Sequence, residues 1–428
     1  MKKIVYMIIR LLARGVLQKY KPDVIGITGS VGKTTTKDAI MLVLAERFHL
    51  RASERSMNSE VGLPLTIIGC DNPGKNSMKW LVVFIKGMIL CLKRDSAYPK
   101  LLVLEMAADK KGDIAYLCSI TQPRIGVVTA LSEVHLAHFK SLEGVAKEKQ
   151  TLIASLPRNG WAVLNADDPR IVKMKEMSDA QYITFGFDEH ATVQAIDVSL
   201  RYKEGETFFD RINGLGFKII YKGTATPVLL SQSVGYHHVY TALAAFAVGT
   251  LFEMNPLEIG ERLGLLVPGP GRLRVLKGMN HSVILDDSYN SSPLALERAL
   301  DTLCDLNDPQ GNGHRRIAVL ADMLDLGKAS QEAHETIGRK IAGLPIDQVV
   351  TIGHDSMWIA EAAKNAGMTA GKLIHFDDMK SVEAYLKENI QDEDIILVKG
   401  SRGMHLELLV EKIIDEPHRS RELLVQSH

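Results

Sequence analysis

A chain of 428 residues is long enough for two or three domains, each with its own core. Fifty-one basic residues stand against 51 acidic ones, so the basic excess of a nucleic-acid binder is missing, and 46% hydrophobic residues exclude a disordered chain. The four cysteines (Cys70, Cys91, Cys118, Cys304) form no C-x-x-C pair, which argues against a disulfide framework or a zinc site and fits a reducing, cytoplasmic setting.

Residues 4–17 (IVYMIIRLLARGVL) follow Lys2-Lys3 and carry Arg10 and Arg14. They predict a helix, but not the uninterrupted run of about 18 to 20 apolar residues that spans a bilayer. No cleavage site of a signal peptide follows them. Residues 24–36 (VIGITGSVGKTTT) come next, and helix-like residues 37–48 follow directly. That order is strand, glycine turn, helix. The backbone N–H groups of such a turn cradle phosphate oxygens, so Gly29, Ser30, Val31, Gly32, Lys33, Thr34 and Thr35 are the expected nucleotide-phosphate site. Lys33 would reach the outer phosphates and the Thr34 hydroxyl would ligate Mg²⁺. The strict G-x-x-x-x-G-K-[ST] pattern places Gly at position 27, where this chain has Ile27.

Residues 80–92 (WLVVFIKGMILCL) form a second apolar stretch, interrupted by Lys86. It and the first read as helices that either pack on a core or lie against a membrane surface or a partner. Strand-type runs follow at 101–105, 125–129 and 162–165, alternating with helical segments, which predicts a parallel sheet covered by helices. Glu105 ends the first run, where ligands of open α/β sheets bind, and suits a metal. His135 follows the second run and could ligate a metal or orient a phosphate. Lys149, on the predicted helix 142–154, reads by itself as part of a solvated helix face.

Residues 191–230 are rich in β-formers and predict a small antiparallel subsheet; residues 236–251 predict an alanine-rich helix. Val267-Pro268-Gly269-Pro270-Gly271-Arg272 is the clearest linker. Strands near 282–286, 316–320, 348–352 and 394–398 then rebuild an alternating pattern. Asp286-Asp287-Ser288-Tyr289-Asn290 ends the first of these with groups that can bond a ribose and flank a base. Lys399-Gly400-Ser401-Arg402 ends the last with a cationic turn suited to a carboxylate or phosphate. The expected organisation is α/β. It comprises an apolar, basic helix over 1–22, a P-loop nucleotide-binding domain over 23–266, a Rossmann-like domain over 272–415, and an exposed tail over 416–428.

Seven segments, in this order, make the chain resemble the Mur ligases, which build the peptide of peptidoglycan. They are residues 26–36, Asn58 to Leu65, Leu104-Glu105-Met106, Asn165 to Asp168, Asp286 to Pro293, Ala318 to Gly327, and Lys399 to Arg402. The resemblance implies an ATP- and Mg²⁺-dependent amide ligase acting through an acyl phosphate, with a UDP-linked muramoyl peptide and a dipeptide amine as substrates. It implies that Lys33 and Thr34 hold phosphates and Mg²⁺, that Glu105 and His135 belong to the metal site, and that Lys149 carries a carbamate. Arg272 and Asp287 would meet ATP phosphate and ribose, Tyr289 and Asn290 the base, and Lys399, Ser401 and Arg402 the amine substrate.

The chain departs from the family pattern at Ala130, Thr151, His238 and Thr241, the last two in place of amides expected near adenine. Family members also carry a UDP-gripping domain before the loop, whereas residues 1–22 precede the strand here. The expectation is therefore a UDP-peptide bound in another way, or another acceptor, as in the two-domain folylpolyglutamate synthases. A nucleotide-binding scaffold is the third reading, and the grouping of Lys33, Glu105, His135 and Asp287 speaks against it.

Overall fold

The computed structural model describes residues 2–53, 57–132, 139 and 141–426. His135 therefore lies outside the described residues. Among those described, fifteen strands form two sheets.

The first sheet contains β1 (Asp23–Thr28), β2 (Leu50–Ala52), β3 (Leu101–Glu105), β4 (Ile125–Val128), β5 (Trp161–Asn165), β6 (Gln181–Gly186), β7 (Val193–Tyr202), β8 (Ile212–Tyr221) and β9 (Thr224–Leu230), in the order β2-β3-β1-β4-β5-β6-β7-β8-β9. Pairing is parallel from β2 through β7 and antiparallel across β7-β8-β9. The antiparallel trio is thus not a separate sheet, because β7 continues the ladder of β6. The second sheet holds β10 (Arg274–Lys277), β11 (Val283–Asp287), β12 (Arg316–Ala321), β13 (Gln348–Ile352), β14 (Leu373–Phe376) and β15 (Ile395–Lys399), parallel except for the edge strand β10.

The helices that position the site are α1 (Lys2–Tyr20), α2 (Lys33–Leu44), α3 (Gly62–Ile68), α4 (Ser77–Leu92), α5 (Asp113–Ile120), α6 (Leu142–Ala154), α7 (His237–Leu251) and α8 (Pro293–Asp305). Side chains of a strand alternate between faces. Ile25, Ile27, Val103 and Val127 face α2 and α7, packing with Val43, Ala244 and Phe246. Val24, Leu102, Leu104 and Val128 face the other way and pack with Ile9 of α1, Leu65 of α3 and Leu152 of α6. The central strands, covered on both sides, are apolar throughout for this reason.

Two expectations change. The tail is not exposed along its length: Leu424 and Val425 are buried, and Arg274 and Arg402 donate to the Leu423 and Gln426 carbonyls. An apolar Leu-Leu-Val run inside a charged segment finds a groove in the second sheet's core. Lys149 is not on a solvated face either. It is 3% exposed, because α6 turns that side toward β1 and β4.

Candidate functional site

The parallel strands β1, β3, β4 and β5 end on one edge, and the chain turns there build the floor of a cavity of about 700 Å³. The second sheet supplies the opposite wall through the ends of β11 and β15, the linker residues Gly271 and Arg272, and α8. One cleft therefore collects residues from both sides of the 267–272 linker.

The floor is the Gly29–Thr34 turn. Gly29 has φ 149°, and a Cβ there would stand 2.0 Å from Thr129 Oγ1; Gly32 has φ 83° as the residue that opens α2. Both φ values favour glycine, and at Gly29 a Cβ has no room as well. The turn is tied to the end of β4: the Ser30 amide donates to the Ala130 carbonyl (2.7 Å) and Thr129 Oγ1 donates to the Val31 carbonyl (2.6 Å). Thr129 is in turn fixed by Asn165 Nδ2, which donates to its carbonyl at 2.8 Å. Lys33 Nζ donates to the Gly29 carbonyl at 2.9 Å, folded back over the turn that it would exchange for phosphate.

Thr34 Oγ1 donates to Glu105 Oε2 at 2.8 Å, and Asn58 Nδ2 donates to Glu105 Oε1 at 3.1 Å. Burial alone would raise the Glu105 carboxyl, but Lys33 and these two bonds hold it below its ordinary value. Burial lowers the Lys33 ammonium, with Glu105 opposing. The floor thus offers an ionised carboxylate, a hydroxyl and a cation within one turn of the α2 N-terminus, where the helix dipole favours anions. Lys149 lies behind this floor, and burial with repulsion from Lys33 brings its amine down to about 7. Its neighbour Glu148 accepts from the Gly112 and Ile114 amides, which fixes α5 on α6.

On the opposite wall the Arg272 guanidinium lies 4.3 Å from the Tyr289 ring centre. Asp287 accepts from Lys399 Nζ (2.5 Å) and from the Leu273 amide (3.1 Å), and Lys399 also donates to the Asn290 carbonyl. Lys399, 1% exposed, is committed to joining β11 to β15 at the cavity wall. Ser401 and Arg402, expected to meet the amine substrate, do not line the cavity. Ser401 Oγ accepts from the Leu324 amide, and Arg402 pairs with Glu407.

Arg298 on α8 adds a cation to the cavity that the sequence did not mark, and the uncharged Asn58, Thr129 and Asn165 also line it. Asn58 and Asn165 stood inside recognised segments, but only the fold shows that they brace Glu105 and Thr129. At the start of α7, His237 and Thr241 line the cavity, while His238 is fully buried behind them. Burial, then Lys399 and Arg298, lower His237 to about 4, so its ring is neutral at pH 7.

Comparison with known proteins bears on this arrangement. Residues 85–249 match the model of the Mur ligase middle domain, and residues 271–402 match that of the Mur ligase, glutamate ligase domain. The chain is similar to the UDP-N-acetylmuramoyl-tripeptide–D-alanyl-D-alanine ligase of Bacillus subtilis (strain 168), with 32% identity over 95% of this chain and 79% of that protein. It is similar to the enzyme of the same name from Escherichia coli (strain K12), with 27% identity over 93% of this chain and 78% of that one. Among solved structures it resembles the MurF ligase of Thermotoga maritima in complex with ADP, with TM-score 0.76 and 26% identity over 98% of this chain and 84% of that one.

Proposed function

This chain belongs to the Mur ligase family, and from that premise we propose that it is an ATP- and Mg²⁺-dependent amide ligase joining D-alanyl-D-alanine to a UDP-N-acetylmuramoyl-tripeptide. The observation that carries the reading is the single cleft in which a phosphate turn, an ionised Glu105 and the Arg272–Tyr289 pair of the second sheet meet.

The chemistry runs in two displacements. A carboxylate oxygen of the muramoyl peptide attacks the γ-phosphorus of ATP, ADP leaves, and an acyl phosphate forms. The uncharged amine of the dipeptide then attacks the acyl carbon, phosphate leaves with the former carboxylate oxygen, and the amine's proton passes to solvent or a base. Phosphoryl transfer demands positioning and charge neutralisation more than covalent help from the protein. The amides of the Gly29–Thr35 turn and the α2 N-terminus hold the β- and γ-phosphates, and Lys33 swings from the Gly29 carbonyl onto the outer oxygens. Arg272 and Arg298 face the same phosphates from the second wall, and Tyr289 and Asn290 flank the base. Of the two residues that stand in place of amides near the adenine, Thr241 lines the cavity and His238 is buried behind it, with His237 beside them at the cavity surface.

The oxygens of Thr34 and Glu105, 2.8 Å apart, fit Mg²⁺, a hard cation that prefers carboxylate, hydroxyl and phosphate oxygens. When bound it neutralises phosphate charge. His135 is assigned to the same site by resemblance. Lys149, with its amine neutral for a large fraction of molecules near pH 7, is suited to carbamate formation, which needs an unprotonated nitrogen. Lys399 acts here as a positioning residue for Asp287. No helix among the described residues is long and apolar enough to cross a membrane, and the supply of ATP and a UDP-linked substrate sets the reaction in the cytoplasm.

Transfer of the carboxylate oxygen is the test. Muramoyl tripeptide with a heavy-oxygen-labelled acceptor carboxylate should deliver one labelled atom into each phosphate released. Phosphate free of label would contradict the acyl-phosphate route.

A further inference from the structure

We infer that α1 and α4 form a docking surface for a bilayer carrying anionic phospholipid. Helix α4 is apolar around its circumference except at Lys79 and Lys86, yet lies at the surface. Only one stripe, Val83, Gly87 and Leu90, is buried. The opposite stripe leaves Met78, Leu81, Val82, Ile85, Met88 and Leu92 between 44% and 85% exposed. A helix that is hydrophobic all round is ordinarily covered.

The neighbouring helix extends the same surface. α1 buries Ile9, Ala13 and Val16 but exposes Ile4, Met7 and Leu11, which are spaced for a single helix face. The two helices run parallel and close: a Cβ on Gly87 would stand 2.9 Å from the Leu12 side chain, and one on Gly15 would stand 2.9 Å from Cys91 Sγ. Lys19 and Tyr20 tie their ends by donating to the Leu90, Cys91 and Lys93 carbonyls. Two exposed apolar stripes therefore lie side by side on one rigid pair. A patch of that extent marks an interaction surface.

Charge selects the occupant. Neither helix contains an Asp or Glu. Exposed cations surround the apolar stripe: Arg14 on α1, Lys79 and Lys86 on α4, and Lys75, Lys93 and Arg94 at its ends. Asp71 and Asp95 stand beyond the helix ends. Apolar side chains in the middle and cations at the rim describe a helix that lies in the interface plane of an anionic membrane. A second copy of this face would instead set cations against cations. Neither helix is long and apolar enough to cross the membrane. Arg10 of α1 stacks 5.0 Å from the Tyr116 ring, a wall residue of the nucleotide cavity, so the docked pair adjoins the cleft.

Flotation of the full chain with vesicles of phosphatidylglycerol and phosphatidylcholine, against vesicles of phosphatidylcholine alone, tests this. The chain should float with the anionic vesicles and release on adding salt. Leu81→Glu with Ile85→Glu should cut the floating fraction at least about tenfold, since each change puts a charge where an apolar side chain meets lipid. Lys79→Glu with Lys93→Glu should weaken flotation and its salt dependence together, and both double variants should keep the wild-type circular-dichroism melt. Absence of flotation, or flotation that both double variants leave unchanged, would overturn the proposal. So would a dimer in light scattering that L81E/I85E dissolves without any vesicle binding, or a cell-extract protein held by the wild-type face alone without vesicle binding.

Discussion

Lys33 and Lys149 show how one neighbourhood gives two lysines different tasks. Lys33 is half-buried and turned toward a carbonyl that it can leave; Lys149 is closed in behind it. Lys33→Ala should lower turnover at least about a hundredfold, the scale of losing a charge aimed at a developing anion, with the thermal melt retained. Substantial residual turnover would refute its role on the phosphates. Lys149 makes a prediction about stability. Its amine stands at 10.5 in the unfolded chain and about 7 when folded. Between those values the unfolded state binds more protons, so this residue makes stability rise with pH. Lys149→Met should flatten the rise of Tm over about pH 7 to 9, and an unchanged slope would contradict a buried, uncharged amine. Lys33, Thr34 and Glu105 were legible because each ends or follows an apolar strand run. The engagement of Lys399 with Asp287 was not, since nothing local marks a strand-end lysine as an internal partner for a carboxylate 112 positions away.

At the level of elements, the phosphate turn and the linker are where backbone geometry governs the site. Gly29→Ala would push a Cβ into Thr129 Oγ1 and strain a φ of 149°. We expect a loss of about 1–3 kcal/mol in stability and a larger loss in nucleotide affinity, read by chemical denaturation and calorimetric titration with ADP. The linker is held through Asp286, which accepts from the Gly271 amide at 3.0 Å and the Ser288 amide at 3.2 Å. Burial lifts that carboxyl to about 6 in spite of both bonds. Asp286→Ala leaves two buried donors unpaired and should cost about 2 kcal/mol, measured by urea unfolding. Most strands could be placed from their apolar runs, as with 101–105 and 348–352. The packed tail could not, because its Leu-Leu-Val run is too short to declare a partner.

Across the whole molecule, the two sheets meet at the cleft and again at a buried ion group. Arg211, just before β8, bonds Asp308 beyond α8 at 2.9 Å, and His314 bonds the same carboxylate at 3.1 Å. Arg211→Met should destabilise the chain by about 3–5 kcal/mol by leaving Asp308 buried with one partner fewer, seen as a lower midpoint in urea. This contact had no sequence signature, since its members lie 97 positions apart. The α/β alternation and the phosphate turn were readable in the chain itself; the joining of two sheets around one cavity emerges only from long-range pairing. The central claim is the identity of the acid and the amine. The purified chain with ATP and Mg²⁺ should convert UDP-N-acetylmuramoyl-tripeptide and D-alanyl-D-alanine to the amide, one phosphate for each product by mass spectrometry. No product from that pair, with phosphate release from a different acid and amine such as a folate and glutamate, would contradict the account.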